Sequence, residues 1–156
     1  MKHLLTISIF CLAIGGVWTS CDKLSDNGDL DGMWQLREMH TKASTDDATY
    51  SQATDKRAEK IYWSFQLDLL SITSEASLNG FTGETVARFT YSGERLEVTE
   101  TYIHYRDRDS LLTDPETTEL EALGIRGNTG SFAVSQLSKH SMILCSDTDS
   151  LVFKKI

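Results

Sequence analysis

The chain of 156 residues has one proline and ten glycines, which excludes collagen-like and low-complexity proteins. Positive charge is also scarce, since 15 Lys and Arg residues face 23 Asp and Glu residues, giving a net charge of −8. A nucleic-acid binder needs Lys and Arg to neutralise phosphates, so we expect no nucleic-acid partner. With 40% hydrophobic and 24% charged residues, the composition is that of an ordinary globular protein and not of a disordered chain.

Cysteine is rare as well, with Cys11, Cys21 and Cys145 only. Cys11 lies in an apolar N-terminal run that we expect to be removed, and Cys21 directly follows that run. Cys145 is then the one free thiol of the mature domain, so we predict no intramolecular disulfide. Because free cysteine is among the most buried residue types, we expect Cys145 to be a buried small hydrophobe and not a catalytic thiol.

Long hydrophobic runs are lacking, since a membrane-spanning helix needs about 20 apolar residues. The longest run, residues 4–18, follows the basic start Met1-Lys2-His3 and ends at the small residues Thr19 and Ser20. A basic start, a short apolar stretch and small residues before a polar segment predict a secretory signal peptide over residues 1–20.

Residues 18–21 resemble the end of a lipoprotein signal peptide. The resemblance implies a diacylglyceryl thioether on Cys21, a mature chain that begins there, and a lipid-anchored location in the cell outer membrane, on the periplasmic side or at the surface. Ordinary cleavage is the alternative, but it leaves an exposed thiol, which is a liability in an oxidising compartment.

Residues 21–31 are rich in aspartate and are predicted to form an acidic tether. In Bacteroidota lipoproteins such a stretch resembles a tag for export to the cell surface, whereas a plain solvated linker has the same composition. Because an acidic chain is repelled by anionic lipid, we expect the anchor to be the protein's one link with the membrane.

From Gly32 onward, apolar and polar residues mostly alternate, which predicts β-strands. We expect strands at Met33–Thr41, 60–74 (one long strand, or a hairpin that turns near Leu67-Asp68), Thr85–Tyr91, Arg95–Tyr105, Ser131–Ser138, Ser141–Ser146 and Leu151–Lys155. Short antiparallel strands joined by hairpins favour a closed barrel, which removes exposed sheet edges. With the hairpin, residues 32–156 are predicted to form one all-β, eight-stranded antiparallel barrel.

One short helix is expected before the last three strands. Asp114 is a good N-cap, and Pro115 suits the first helical position. Leu120 and Leu123 lie three residues apart and would share a face, and Gly124 is a natural end for the helix.

The motif Gly32-Met33-Trp34 matches the G-x-W of lipocalins. The order of this motif, Trp63-Ser64-Phe65, Gly124-Ile125 and the terminal residues 151–155 resembles that of small lipocalin-like (calycin-type) lipoproteins of the Bacteroidota, over nearly all of residues 21–156. The resemblance implies that Trp34 closes one end of the barrel. It also implies that a late basic residue, Lys154 or Lys155, packs on Trp34, with cation–π attraction as the physical basis.

Five aromatic residues are predicted to line the barrel interior: Trp63, Phe65, Phe89, Tyr91 and Tyr102. If the interior is open, they would bind a small hydrophobic or amphipathic molecule. The alternative is a filled core, because an eight-stranded barrel can be just wide enough for side chains. A filled barrel would bind a protein or a glycan at the cell envelope through its loops, especially 42–57 and 104–114. We expect a monomer.

No catalytic or metal-binding pattern is found in the sequence, so we expect no enzyme, no metal and no cofactor. His40, His104 and His140 lack the spacing of zinc ligands. Residues 104–109 form the densest polar cluster, but alternating Arg and Asp are more typical of a solvated rim. Residues 27–38 match a calcium loop only in part, because no helices are predicted on both sides.

Two Asp-Ser-Leu tripeptides, at Ser110 and Ser150, resemble the acceptor for O-glycosylation in exported proteins of the Bacteroidota. We expect both serines to lie in turns with accessible hydroxyls.

Overall fold

The structure of the chain is a computed structural model that describes residues 26–50, 53–76, 84–105 and 108–156. The predicted signal peptide and Cys21 lie outside these residues. Ten strands are described: β1 (Gly32–Thr41), β2 (Thr54–Asp55), β3 (Ile61–Gln66), β4 (Leu69–Ser74), β5 (Glu84–Tyr91), β6 (Arg95–Tyr105), β7 (Arg108–Leu111), β8 (Gly130–Leu137), β9 (Ser141–Cys145) and β10 (Asp149–Lys155). Three short 3-10 turns span Gly28–Leu30, Arg57–Glu59 and Glu121–Leu123.

The sheet closes into a barrel because β10 pairs antiparallel with β1, from Trp34 opposite Lys155 to Thr41 opposite Asp149. Eight strands form the barrel in chain order, namely β1, β3, β4, β5, β6, β8, β9 and β10. The short strands β2 and β7 extend it beside β1 and β6. The prediction of a closed eight-stranded antiparallel barrel is therefore confirmed, and the two short strands are additions to it.

The barrel has two different ends, which we name after the first and last residues of β1. Because β1 has 10 residues, the Gly32 end and the Thr41 end are roughly 30 Å apart along that strand. The short turns 67–68, 92–94 and 138–140 lie at the Gly32 end. At the Thr41 end, the described parts of the connections that follow Thr41, Ser74 and Leu111 leave the barrel. Within the described residues, the Gly32 end is therefore tightly connected, and the Thr41 end carries most of the loop residues.

The region 60–74 is a hairpin and not one long strand. β3 pairs with β4 from Ile61 opposite Ser74 to Gln66 opposite Leu69. Leu67 adopts a positive φ of 57° in the tight turn between them. Alternate residues of β3, namely Ile61, Trp63 and Phe65, are buried, as expected for a strand with one face toward the core.

The predicted helix before the last three strands is wrong in extent. Only Glu121–Leu123 forms a 3-10 turn, although Asp114 accepts a hydrogen bond from the Glu116 amide at 3.0 Å and Gly124 ends the turn with a φ of 99°. Packing overrides the local helix signals here, because the segment covers the Thr41 end of the barrel. Leu120, Leu123 and Ile125 are fully buried there. The Leu123 carbonyl accepts a hydrogen bond from Trp63 Nε1 at 3.1 Å, which ties the segment to the barrel interior.

The Gly32 end is closed by Trp34 and the turn that precedes β1. Trp34 is fully buried and donates a hydrogen bond from Nε1 to the Leu30 carbonyl at 2.7 Å. Leu30 is also fully buried, so residues 27–31 belong to the folded domain. The predicted boundary between tether and barrel at Gly32 is therefore too late in the sequence.

Lys155, and not Lys154, lies over Trp34. Its Nζ is 4.8 Å from the centroid of the Trp34 ring and donates a hydrogen bond to the Asp29 carbonyl at 2.8 Å. Strand alternation explains the choice, because Phe153 and Lys155 point to the inner face of β10 whereas Lys154 is exposed. This contact has the geometry of a cation–π interaction.

Candidate functional site

The barrel interior is filled by aromatic side chains that contact one another. The Trp63 ring centroid lies 5.2 Å from that of Phe153, 5.9 Å from that of Phe132 and 6.2 Å from that of Phe65. Phe65 and Phe89 pack edge to face at 5.2 Å. Because these side chains are at most 3% exposed, they form a packed core with no open space between them among the described residues. This arrangement is the filled-core alternative of the sequence analysis.

Trp63, Phe65 and Phe89 lie inside the barrel as expected, but Tyr102 lies outside it. The Tyr102 hydroxyl donates to Glu100 Oε2 at 3.2 Å on the exposed face of β6. A β-bulge causes the difference: Arg88 pairs with Glu100 and Phe89 with Val98, so Thr99 is an extra residue in β6. One extra residue reverses which side chains face inward. Placing Tyr102 in the barrel interior was therefore wrong.

Tyr91 takes an intermediate position. Its ring packs against the hydrophobic core at the Gly32 end, and its hydroxyl donates to the Gly93 carbonyl at 3.2 Å in the β5–β6 turn. Tyr91 thus lies at the rim of the barrel and not within a central cavity.

Two buried hydroxyls in the interior, those of Thr85 and Thr101, lack a hydrogen-bond partner within the described residues. Both residues are fully buried. Thr101 lies opposite Ala87, and Thr85 opposite Ile103, so the two threonines are diagonal neighbours on the inner face of β5 and β6. A buried hydroxyl without a partner costs free energy, so the two threonines form an unfavourable polar spot in the wall made by β5 and β6.

A cavity of about 330 Å³ lies at the Thr41 end, and we call it the polar cavity because most of its lining residues have polar side chains. Its walls come from the β9–β10 turn, from the segment 124–130, from the start of β8 and from the loop after β1. Its lining residues are Thr45, Gly124, Arg126, Thr129, Gly130, Ser131, Phe132, Ser146, Asp147, Thr148 and Asp149. The volume lies within the range of small-molecule sites in proteins.

An ion pair between Arg126 and Asp149 forms the base of this cavity. Arg126 Nε donates to Asp149 Oδ2 at 2.6 Å and Nη2 donates to Oδ1 at 3.2 Å, which is a bidentate pair. The hydroxyls of Thr41 and Thr148 also donate to the Asp149 carboxylate, at 2.6 and 2.9 Å. Asp149 is only 1% exposed, and its acceptor oxygens are occupied by these four hydrogen bonds.

The same contacts set the charge state of the pair. Burial alone raises the pKa of Asp149, but the hydrogen bonds from Arg126, Thr41 and Thr148 outweigh burial and hold that pKa below its ordinary value. The hydrogen bond with Asp149 raises the pKa of Arg126. The cavity base is therefore a fixed ion pair at neutral pH.

Other lining groups point to solvent without a side-chain partner of their own in the described part of the chain. Thr45, Thr129 and Asp147 are exposed and line the cavity. The Arg126 side chain is 41% exposed, and its remaining Nη1 contact, with Glu121 Oε1, is long at 3.4 Å. The cavity thus offers hydroxyl groups that donate and accept, a free carboxylate and one guanidinium edge.

No local sequence signal marks this site. Arg126 and Asp149 are 23 residues apart, and serine and threonine are common turn residues. Only Thr45 comes from one of the two loops, 42–57 and 104–114, that the sequence singled out.

The polar cluster at 104–109 is a surface feature as far as it is described. His104 Nδ1 lies 2.7 Å from Asp109 Oδ1, and the two side chains are 53% and 59% exposed. Such an exposed pair lacks the desolvation that tunes a catalytic acid or base. Within the described residues, no group of three His, Cys, Asp or Glu is arranged to hold a metal ion.

Cys145 and Ser150 are both placed differently from expectation. Cys145 is half-buried and not fully buried, because it points to the outer face of β9, where its Sγ donates to Ser150 Oγ at 3.7 Å. Ser150 lies within β10 and is only 8% exposed, so it is not an accessible turn hydroxyl. Ser110 is exposed but lies in β7 and not in a turn.

Among the described residues, no helix is long and apolar enough to cross a membrane.

Comparisons with known proteins agree with this architecture. The family model described as "Lipocalin-like domain" matches residues 16–156. A lipocalin-like protein from Bacteroides uniformis ATCC 8492 has a solved structure that is similar at a TM-score of 0.54 and 21% identity, covering 83% of this chain and all of that one. An uncharacterised protein from Bacteroides eggerthii DSM 20697 is similar at a TM-score of 0.50 and 19% identity, covering 81% and 99%. No curated protein matches. The family match spans most of the sequence, and the chain belongs to the lipocalin-like domain family.

Proposed function

We propose that this protein is a lipid-anchored, exported binding protein of the cell envelope that holds its ligand in the polar cavity at the Thr41 end. The observation that carries the proposal is the contrast between the two candidate sites. The barrel interior is packed with aromatic rings, whereas the polar cavity has about 330 Å³ of space. The Thr41 end is also opposite the end at which the segment from Cys21 joins the barrel.

The chemistry of the lining favours a neutral, hydroxyl-rich ligand, and we assign a neutral glycan. Arg126 is neutralised by Asp149, and Asp147 adds a free negative charge, so an anionic ligand would meet net repulsion. Sugar hydroxyls both donate and accept hydrogen bonds, which suits a lining of threonine hydroxyls, a carboxylate and a guanidinium edge. A protein partner at the same loops is the alternative that the test distinguishes.

The test is binding of the purified mature protein to an array of neutral and acidic oligosaccharides. Binding to neutral glycans is expected. Thr129→Val should raise the dissociation constant about 3- to 10-fold, since one hydrogen bond contributes roughly 1 kcal/mol. Thr90→Val is the matched control, because Thr90 is exposed on β5, away from the cavity.

Two results contradict this assignment. If no neutral glycan binds and cross-linking in intact cells recovers one reproducible envelope protein, the ligand is a protein. If Thr129→Val and Thr90→Val have the same effect, the glycan binds elsewhere.

The anchor has its own test. Replacing Cys21 by Ala should move the protein from membranes into the soluble exported fraction, because acylation of that thiol is lost. Retention of Cys21→Ala in the membrane fraction would refute acylation at Cys21.

A second candidate function is binding of a small amphipathic molecule inside the barrel. The unpartnered hydroxyls of Thr85 and Thr101 favour it, because a polar group of a ligand could satisfy both. Entry would require the segment around Leu120 and Leu123 to move away from the Thr41 end. Denaturing mass spectrometry of small molecules released from natively purified protein tests this candidate, and release of one stoichiometric amphipathic compound would favour it over the cavity.

A further inference from the structure

Exposed large apolar side chains gather at the Gly32 end of the barrel. Five such residues occur in the described part of the chain, and four of them lie at this end. Met33 is 46% exposed, Leu67 45%, Leu69 43% and Ile156 66%. The fifth, Leu111, is 46% exposed but lies on β7, toward the Thr41 end.

Backbone contacts show that the four residues border one side of that end. The Ile156 amide donates to the Met33 carbonyl at 3.0 Å, so these two residues are neighbours. The start of β1 pairs with the end of β3. Leu67 lies in the turn that follows β3, and Leu69 is the first residue of β4. We name Met33, Leu67, Leu69 and Ile156 the apolar rim.

The chain also enters the barrel beside the apolar rim. Asn27 Nδ2 donates to the Leu67 carbonyl at 2.8 Å, which fixes the entering segment against the β3–β4 turn. Asp26, where the described structure begins, is five residues after Cys21. A fully extended chain covers at most about 3.6 Å per residue, so the two Cα atoms are within roughly 18 Å of each other. An acyl group on Cys21 would therefore keep the Gly32 end close to the lipid.

We propose that the apolar rim docks on the membrane that holds the anchor, with its side chains in the headgroup region. This inference rests on the proposed acylation of Cys21 and goes beyond the proposed glycan binding. Exposed apolar side chains beside a membrane anchor gain stability by entering the interface. The barrel then stands on its Gly32 end, and the polar cavity faces away from the membrane.

The charges at this end identify the kind of lipid surface. Exposed Lys139 and Lys154 lie there, but so do Asp29, Asp31 and Asp68, and both signs therefore occur. Attraction to anionic lipid does not drive the contact, and the occupant is a zwitterionic lipid surface entered by apolar side chains. The expectation that the anchor is the one link with the membrane is replaced by an anchor plus a docked rim.

The experiment uses the mature protein purified from membranes and reconstituted in phosphatidylcholine vesicles, in a Cys145→Ser background so that an introduced thiol is unique. An environment-sensitive fluorophore is attached at Leu69→Cys or, as the matched control, at Leu111→Cys. Leu69 and Leu111 have nearly equal exposure, 43% and 46%, but lie toward opposite ends of the barrel. Docking predicts a blue-shifted emission and at least a twofold intensity gain for the probe at position 69, quenched by lipid-borne nitroxides, and no change at position 111.

The outcomes separate the two proposals. If the protein floats with the vesicles and the probe at position 69 stays as aqueous as that at position 111, docking is overturned while the anchor stands. If the protein does not float with vesicles, the anchor itself is wrong. If both probes enter the lipid, the barrel does not stand on its Gly32 end, and the proposed orientation is overturned.

Discussion

Replacing Thr101 by Val tests whether the barrel interior is dry and packed. Valine has nearly the shape of threonine, so the substitution removes the hydroxyl and leaves the packing almost unchanged. Thr101 is fully buried, and its Oγ1 has no hydrogen-bond partner among the described residues. A buried hydroxyl without a partner costs about 1–3 kcal/mol. We therefore expect Thr101→Val to raise the free energy of unfolding by about 1–2 kcal/mol.

The assay is urea denaturation followed by tryptophan fluorescence, together with a thermal melt. For a domain of this size, the expected gain corresponds to a rise in Tm of roughly 3–8 °C. Thr90→Val is the control, because Thr90 is exposed on β5, and its effect should stay within about 0.5 kcal/mol. A Thr101→Val protein that is less stable than the wild type would refute the reasoning, since the hydroxyl would then have a partner such as an interior ligand or water.

Three further predictions follow from named contacts. Lys155→Met should lower the free energy of unfolding by about 1–2 kcal/mol, because it removes the cation–π contact with Trp34 and the hydrogen bond to the Asp29 carbonyl. Lys154→Met, at an exposed site, should change little in the same urea titration, and equal effects would contradict the contact. Asp149 has a lowered folded-state pKa, so its stabilising contribution is complete above about pH 5 and is lost as the pH falls through and below the unfolded-state value of about 3.9. The free energy of unfolding of Asp149→Asn should therefore fall less between about pH 5 and pH 3 than that of Asp147→Asn. If the free energies of unfolding of the two variants fall in parallel, Asp149 is excluded as the cause. Gly127→Ala should lower the free energy of unfolding more than Gly93→Ala. Both glycines have positive φ, but a Cβ at Gly127 would lie 2.4 Å from the Pro115 carbonyl oxygen, whereas a Cβ at Gly93 would have no neighbouring atom within 4 Å. Thermal melts measure this, and equal Tm values would argue against tight packing of the segment over the Thr41 end.

The barrel could be predicted from the sequence because its signals are local. Alternation along residues 61–66 marks an inward face. The sequence left open whether residues 60–74 form one strand or a hairpin, and the structure shows the hairpin with its turn at Leu67-Asp68. The contact of Trp34 with a late lysine was implied by resemblance. The choice of Lys155 over Lys154 then follows from alternation with the buried Phe153.

Other features depend on contacts that no short sequence window contains. The bulge at Thr99 reverses the faces of β6 and turns Tyr102 outward, and alternation alone cannot locate such an extra residue. The helix signals at Asp114 and Gly124 are real, but burial of Leu120 and Leu123 over the barrel opening is stronger than helix propensity. The polar cavity depends on an ion pair between Arg126 and Asp149, which belong to separate elements of the fold.

Native mass spectrometry of the protein extracted gently from membranes tests the central claim most directly, namely that a filled barrel sits on a lipid anchor. One species is expected, with the mass of the chain from Cys21 plus covalent acyl groups. Any small molecule lost on activation is expected to leave before the barrel unfolds, because it comes from the polar cavity and not from the barrel interior. A species without acyl groups would contradict the anchor, and an additional mass that leaves when the barrel unfolds, and that Thr101→Val abolishes, would contradict the filled interior.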